Sequence, residues 1–387
     1  MFELLFLLLP VAAIYGYYMG KNSLNSKRQE SKTQQSANYL KGFDYLLNNK
    51  QEKAVDKFIA FLNSKDPSFE SSLALGNLFR QRGEVDKAIA VHEKMATFED
   101  LEDAEREISQ LELSRDFISA GFLDRAEMIL LQLAEIPRQR ETAAKLLLSV
   151  YEKEQDFKKA IDVANEYSDS LGNSVDKSLS QYHCEVAKSL IMQGMKDQAE
   201  DELKEAVSCY DKSVRARLEL ADLYIRNSDF NGAYKLIKEV SSINPDSGMI
   251  CLEKLKNCFP NKADPNYRFA LEDLVHRTNS AEAMVELVRT VELLSGNDDA
   301  QAQLMSFTKI KSNLKLFSEL LDLRSHKADS VANESILQIK SLLDAEISLN
   351  NKYVCPHCGF ESKILFWKCP SCRRWESMKP KKGLDGD

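Results

Sequence analysis

Glycine and proline are scarce in this chain: 14 and 9 of 387 residues. Both are the raw material of tight turns, so their shortage argues against a turn-rich all-β architecture and favours helix. Positive charge is also in short supply. The formal net charge is -8, which sets the chain as a whole against broad affinity for a polyanion. Catalytic signatures are missing too. No G-x-x-x-x-G-K-[ST] phosphate loop occurs. "HEKMA" at His92 has only the first half of H-E-x-x-H, and no convergent Ser/His/Asp set can be named. Four of the eight cysteines, Cys184, Cys209, Cys251 and Cys258, are widely spaced. They read as buried thiols in a reducing compartment, not as a disulfide framework.

Charge is lacking in one further place. "MFELLFLLLPVAAIYGYYMGK" carries a single charge, Glu3, before Lys21. A signal peptide begins with positive charge, and this segment does not. Residues 2–20 as a helix extend about 28 Å, close to a hydrocarbon core of about 30 Å. Lys21, Lys27, Arg28 and Lys32 follow the span, and Tyr15, Tyr17 and Tyr18 cluster at that end. The positive-inside rule then expects a single-pass anchor over 1–20, with the body on the cytoplasmic side. Residues 21–36 are polar, without apolar period, and read as a tether.

From 37 to 345 the pattern is helical. Six breaks share one form, "NNKQEKAV", "QRGEVDKAI", "SAGFLDRAE", "EKEQDFKKAI", "MQGMKDQAE" and "RNSDFNGAY", each leading to an alanine: Ala54, Ala88, Ala126, Ala160, Ala199 and Ala233. Their spacings are 34, 38, 34, 39 and 34 residues. Nine residues before each stands a bulky group (Tyr45, Phe79, Phe117, Tyr151, Leu190, Tyr224). Twelve before stands a small one in five of the six (Gly42, Gly76, Ser114, Ala187, Ala221), with Leu148 the exception. Four residues after lie Phe58, His92, Leu130, Ala164, Leu203 and Ile237. A helix–turn–helix unit of this period is the tetratricopeptide signature. The register is clear to about residue 247; after Pro260 it fades into two or three divergent repeats. The expected fold is therefore all-α: a superhelix of repeats whose first helices line a concave binding face.

In such units the first helix turns roughly its second, fifth, ninth, twelfth and thirteenth residues into the groove. Counting back from the alanines places Asn77, Arg80, Arg115, Lys145, Ser149, Lys188 and Arg226 there, together with Glu70, Glu152 and Asp222. This mixed but basic-leaning set is the candidate partner-binding surface, suited to a carboxylate-rich or C-terminal peptide.

Residues 346–387 are different. "YVCPHCGFESKILFWKCPSCRRW" places Cys355 and Cys358 in one C-P-x-C pair and Cys369 and Cys372 in a second, with ten residues between. Two such pairs supply four thiolates for one tetrahedral metal ion. The segment is too short for a self-sufficient core, so metal binding can supply the missing folding free energy. Zinc and iron both suit four thiolates. Both tryptophans, Trp367 and Trp375, lie here, and the segment from residue 353 has seven Lys/Arg against four Asp/Glu. A basic tail of this kind is expected to dock on the acidic repeats. It also admits two other readings: a rubredoxin-type electron carrier and a nucleic-acid-binding zinc ribbon.

The opening, the repeats and the ending "YVCPHCGF…LFWKCPSCRRW…KPKKGLDG" together resemble the lipopolysaccharide assembly protein B family of Gram-negative bacteria, over the whole chain and in order. The resemblance implies a rubredoxin-like tail holding one iron ion on Cys355, Cys358, Cys369 and Cys372. It implies an inner-membrane, non-enzymatic adaptor that regulates lipopolysaccharide synthesis. The implied partners are the committed lipid A deacetylase, an FtsH-type membrane protease and other lipopolysaccharide assembly or regulatory membrane proteins. No nucleic acid is implied, and a homodimer stays open.

Overall fold

A computed structural model describes residues 69–98, 101–327 and 329–387, together with positions 19, 40–42, 44, 45, 53 and 57. The expected anchor (Met19 apart), the tether and most of the first repeat lie outside these residues. The expected single-pass placement in the inner membrane is corrected: among the described residues no helix is long and apolar enough to cross a membrane. The longest, Ser330–Leu349, carries Glu334, Lys340, Asp344 and Glu346 along its 20 residues. The chain divides into two compact units, one ending at Glu154 and the other running from Gln155 to Asp387.

The first unit contains α1 (Phe69–Gln81), α2 (Val85–Ala96), α3 (Asp103–Ala120), α4 (Leu123–Ala134) and α5 (Arg140–Glu154). Leu75 and Phe79 of α1 pack with Ala88, Val91 and Met95 of α2. The small residue expected at Gly76 has a physical reason: a Cβ there would lie 2.3 Å from Nε2 of His92. His92 is thus a packing residue, fully buried, and its Nδ1 lies 2.5 Å from Oδ2 of Asp116 on α3. The other oxygen of Asp116 accepts from Arg80 at 2.7 Å, and Arg80 also pairs with Glu112. A carboxylate this deeply buried costs several kcal/mol when left unpaired, and here both oxygens are engaged. α3 begins with a reciprocal capping box between Glu102 and Glu105.

The second unit starts with α6 (Phe157–Glu166) and the single turn α7 (Ser168–Leu171). It continues through α8 (Asp176–Met192), α9 (Lys196–Cys209), α10 (Val214–Arg226), α11 (Phe230–Ile243) and α12 (Gly248–Cys258). The last five helices are α13 (Pro265–Thr278), α14 (Ala281–Ser295), α15 (Asn297–Ile310), α16 (Leu314–Ser325) and α17 (Ser330–Leu349). Several helices here open on an N-cap whose side chain accepts a backbone N–H: Asp156, Ser213, Asp229, Asp264, Ser280, Asn313 and Asp329.

One turn geometry recurs. The residue just before the cap of the second helix has positive φ at Gly83, Gly121, Gln155, Gly194 and Ser228. Only three of the five are glycine, so composition hides the repeat. Positions four, eight and eleven past that cap are then buried. They are Ala88, His92 and Met95; Ala126, Leu130 and Leu133; Ala160, Ala164 and Tyr167; Ala199, Leu203 and Ala206; Ala233, Ile237 and Val240. Gly296 starts the same count, giving Ala300, Leu304 and Phe307, and none of these residues is more than 7% exposed.

Three helix pairs follow α11. The register is lost to the eye because α13 enters one residue early: Tyr267, Leu271 and Leu274 stand three, seven and ten past Asp264. After α17 the chain is no longer helical. β1 (Tyr353–Val354) lies between β2 (Glu361–Ser362) and β3 (Lys379–Pro380) in an antiparallel sheet, which forms the small knuckle after the helical superhelix. Tyr353 pairs with both Ser362 and Pro380.

Candidate metal centre

The two cysteine pairs are built alike. In the first, the Gly359 N–H donates to the Cys355 carbonyl at 2.9 Å and the Cys355 N–H to Phe360 at 2.8 Å. In the second, Arg373 donates to Cys369 at 2.9 Å and Cys369 to Arg374 at 3.0 Å. Each turn needs a left-handed residue four positions past its first cysteine: Gly359 at φ 76° and Arg373 at φ 57°. No atom lies within 4 Å of a Cβ built on Gly359. Gly359→Ala is therefore expected to cost about 1 kcal/mol of tail stability from backbone conformation alone, without loss of metal. Thermal unfolding followed by tryptophan emission, with metal content measured in parallel, checks this.

The turns bring four sulfurs together. Sγ of Cys355 lies 3.7 Å from Cys372, and Sγ of Cys358 lies 3.7 Å from Cys369. All four sulfurs lie within 4.8 Å of one another. A tetrahedron with metal–sulfur bonds of about 2.3 Å has edges of about 3.8 Å, so the group fits one ion. Cys355 and Cys369 are fully buried and Cys358 is exposed. Desolvation raises the Cys355 thiol, but the Ser377 hydroxyl and the backbone at Cys358 and His357 outweigh it and bring it to about 6. A thiol so lowered is mostly thiolate at neutral pH, the form that binds metal. Cys358 is lowered too, first by the Phe360 backbone, whereas at Cys372 the Arg374 N–H is outweighed by burial and the other three sulfurs, which raise it to about 11. Of the four remaining cysteines, Cys184, Cys251 and Cys258 are buried and Cys209 is half-exposed; burial pushes Cys251 up to about 12 and Cys209 and Cys258 up to about 11.

The metal turns are continuous with the helical core. Cys355, Cys369, Tyr353 and Met378 belong to the same apolar cluster as Leu252, Leu255 and Met284 of the repeats. Trp375 meets Tyr182 of α8 edge-on at 6.5 Å. Between the tail and the repeats lies Arg215, 1% exposed, with its guanidinium 6.0 and 5.9 Å from the rings of Trp367 and Trp375. It pairs with Glu185 at 2.9 Å and Glu219 at 2.6 Å, and its backbone N–H donates to Glu376 at 3.1 Å. Lys379 and Lys382 both clasp Asp246, at 3.3 and 2.5 Å, and hold its carboxyl below the usual range. At the far end Asn313 donates to the carbonyls of Gly383 and Gly386, and Asp387 accepts from Ser280 and from the Glu282 N–H. Sequence reasoning anticipated basic tail against acidic repeat. It missed Arg215, a basic repeat residue against aromatic tail, because nothing in the local pattern marks it.

Residues 353–380 match the family described as rubredoxin metal binding domain, and residues 71–105 match the tetratricopeptide repeat family. Over its full length the chain is similar to lipopolysaccharide assembly protein B of Escherichia coli (strain K12), 32% identical across 389 residues and 100% of each chain. The chain belongs to the lipopolysaccharide assembly protein B family. The counterpart in Haemophilus influenzae is 33% identical over 391 residues, covering 98% of both. Among solved structures, a tetratricopeptide repeat protein from Parabacteroides merdae aligns at 15% identity and TM-score 0.35, over 66% of this chain and 98% of that one.

In this lipopolysaccharide assembly protein B family member the seven candidate groove residues have unequal freedom. Arg80 is committed to Asp116 and Glu112, and Asn77 accepts from Arg80 at 2.5 Å. Lys145 pairs along its own helix with Glu141, and the Ser149 hydroxyl donates to the Leu146 carbonyl. Arg115 is half-exposed, 3.6 Å from Glu112. Lys188 and Arg226 are exposed. Of the acids placed beside them, Asp222 pairs with Lys254 at 2.6 Å.

Proposed function

We propose that this protein is a non-enzymatic adaptor of lipopolysaccharide assembly. Its repeats hold the committed lipid A deacetylase and present it to an FtsH-type membrane protease, so that degradation sets the level of the deacetylase. The observation that carries this reading is the relationship to lipopolysaccharide assembly protein B along the entire chain, repeats and metal tail alike. Stacked helix pairs are protein-binding surfaces by construction, since each pair buries its faces on its neighbours and displays the rest. In this reading the four cysteines hold one iron ion in a structural role; zinc is the alternative that metal analysis separates. The nucleic-acid reading keeps only part of its charge, because Lys379 and Lys382 pair with Asp246 and Lys381 with Asp385, while Arg373 and Arg374 stay exposed.

The test is a reconstitution of deacetylase and protease with and without the chain. The deacetylase half-life is expected to shorten when the chain is present. Arg115→Ala combined with Lys188→Ala should weaken deacetylase capture roughly tenfold, the equivalent of about 1.4 kcal/mol, with the melting temperature unchanged. An unaltered half-life in the presence of the intact chain refutes the adaptor reading. Undiminished capture by the double variant refutes only the assignment of these two residues.

A further inference from the structure

The second helix of a repeat is normally covered from both sides, by its own first helix and by the first helix of the next repeat. Helix α17 is the second helix of the last pair, and no further helix follows it. The positions that are buried elsewhere are Asn333, Leu337 and Lys340 here, and Leu337 is 46% exposed. Among the described side chains of α17, none is buried. Ile336, Leu343 and Ile347 are half-covered on one side. On another side Val331, Ile339, Leu342 and Leu349 are open, at 77%, 53%, 73% and 70% exposure. At 100° per residue these four fall within about 80° of one another, a single stripe. At about 1.5 Å per residue it is about 27 Å long.

Charge on this side has one sign. Glu346 lies within the stripe's arc and Glu334 beside it, both exposed. Neither enters an ion pair among the described residues. The helix's one lysine, Lys340, is turned to Asp322 and Asp344, each at 3.2 Å. An apolar stripe with unneutralised carboxylates selects a partner with the complementary pattern, and a second copy of α17 would set like charges together.

We propose that the outer face of α17, on the side turned away from Asn333, Leu337 and Lys340, is a docking site for a basic amphipathic helix of a partner protein. Apolar residues at i, i+3/i+4 and i+7 of that helix cover Ile339, Leu342 and Leu349, and its flanking Lys or Arg meets Glu334 and Glu346. The inference goes beyond the adaptor reading and does not rest on it, because the measurement below involves neither deacetylase nor protease.

The probe is a labelled synthetic helical peptide with leucine at those spacings and lysine elsewhere, titrated into the full chain. A control peptide has glutamate in place of lysine. The lysine peptide is expected to bind the wild type, and Ile339→Lys with Leu342→Lys to weaken it roughly tenfold or more. Glu346→Lys keeps the apolar stripe, so it should shift preference from the lysine peptide toward the glutamate peptide. All three positions are exposed, and melting temperatures should not move. Equal binding by wild type and the Ile339/Leu342 variant overturns the proposal, as does equal binding of the two peptides. Sedimentation showing a wild-type dimer that the same variant abolishes also overturns it, since the face then belongs to a second copy.

Discussion

Replacing Cys355 and Cys358 together with serine should take bound metal from one equivalent to none and unfold the tail, while the helical signal stays nearly whole. The sulfurs of these two residues complete a group whose edges match a single tetrahedral ion. Serine oxygen does not replace thiolate as a ligand at neutral pH, and two remaining thiolates do not close a structural site. Metal binding in small cysteine-rich domains contributes about 10–16 kcal/mol of apparent folding free energy, far more than a tail of this size gains from its own apolar contacts. The strands of the tail are two residues each, so within the tail itself little besides the ion holds the turns. Residues 350–387 contain no helix, and circular dichroism at helical wavelengths should therefore change little. Both tryptophans lie in the tail. Their emission reports its state selectively and should shift to the red as they leave Arg215 and Tyr182. Metal analysis together with emission decides the matter. One equivalent of metal retained in the double variant, or an unmoved emission maximum, removes these cysteines from the site.

The metal turns were the most legible part of the chain, because ligand chemistry demands fixed residue types at fixed spacing. The repeats were legible where an alanine is forced by close helix approach, as at Ala88 and Ala126, both fully buried. They became illegible where geometry is met by other means. Gln155 and Ser228 take the left-handed turn position that Gly83 and Gly121 take elsewhere, so no glycine advertises it. The one-residue shift at α13 breaks a count kept from alanine to alanine, although burial continues through Tyr267 and Leu271. Individual groove charges were the least legible. Sequence places Arg80 on the concave face, but only the fold shows that Asp116 and Glu112, more than thirty residues away, neutralise it. Helical periodicity locates a side chain on a face; it does not tell which long-range partner has claimed it.

Arg215→Ala should release the tail from the repeats without emptying the metal site. The guanidinium is almost fully buried, shared between Glu185 and Glu219, bonded to Gln181 at 3.3 Å and placed beside both indole rings. Removing one partner of a buried ion pair costs about 3–5 kcal/mol, because the carboxylates left behind are uncompensated. Loss of the two cation–π contacts adds about 1 kcal/mol or more. None of these groups is a metal ligand, so one equivalent of metal should remain while tryptophan emission shifts and the tail becomes open to proteolysis. The penalty should also depend on pH with a definite sign. Burial raises the Glu219 carboxyl above its usual value even with Arg215 pulling it down. Without Arg215 it rises further, so the folded variant holds a proton that the unfolded chain releases, and stability falls as pH rises through the carboxylate range. The variant should therefore be least stable, relative to wild type, at neutral pH and recover in mild acid. Arg215→Lys should recover only part of the loss, since a compact ammonium cannot bridge two carboxylates and lie along two indoles at once. A lysine variant equal to wild type would mean that charge alone holds the tail. An alanine variant with unchanged emission would mean that the Asp246 clasp and the contacts of Asn313 and Asp387 suffice without it.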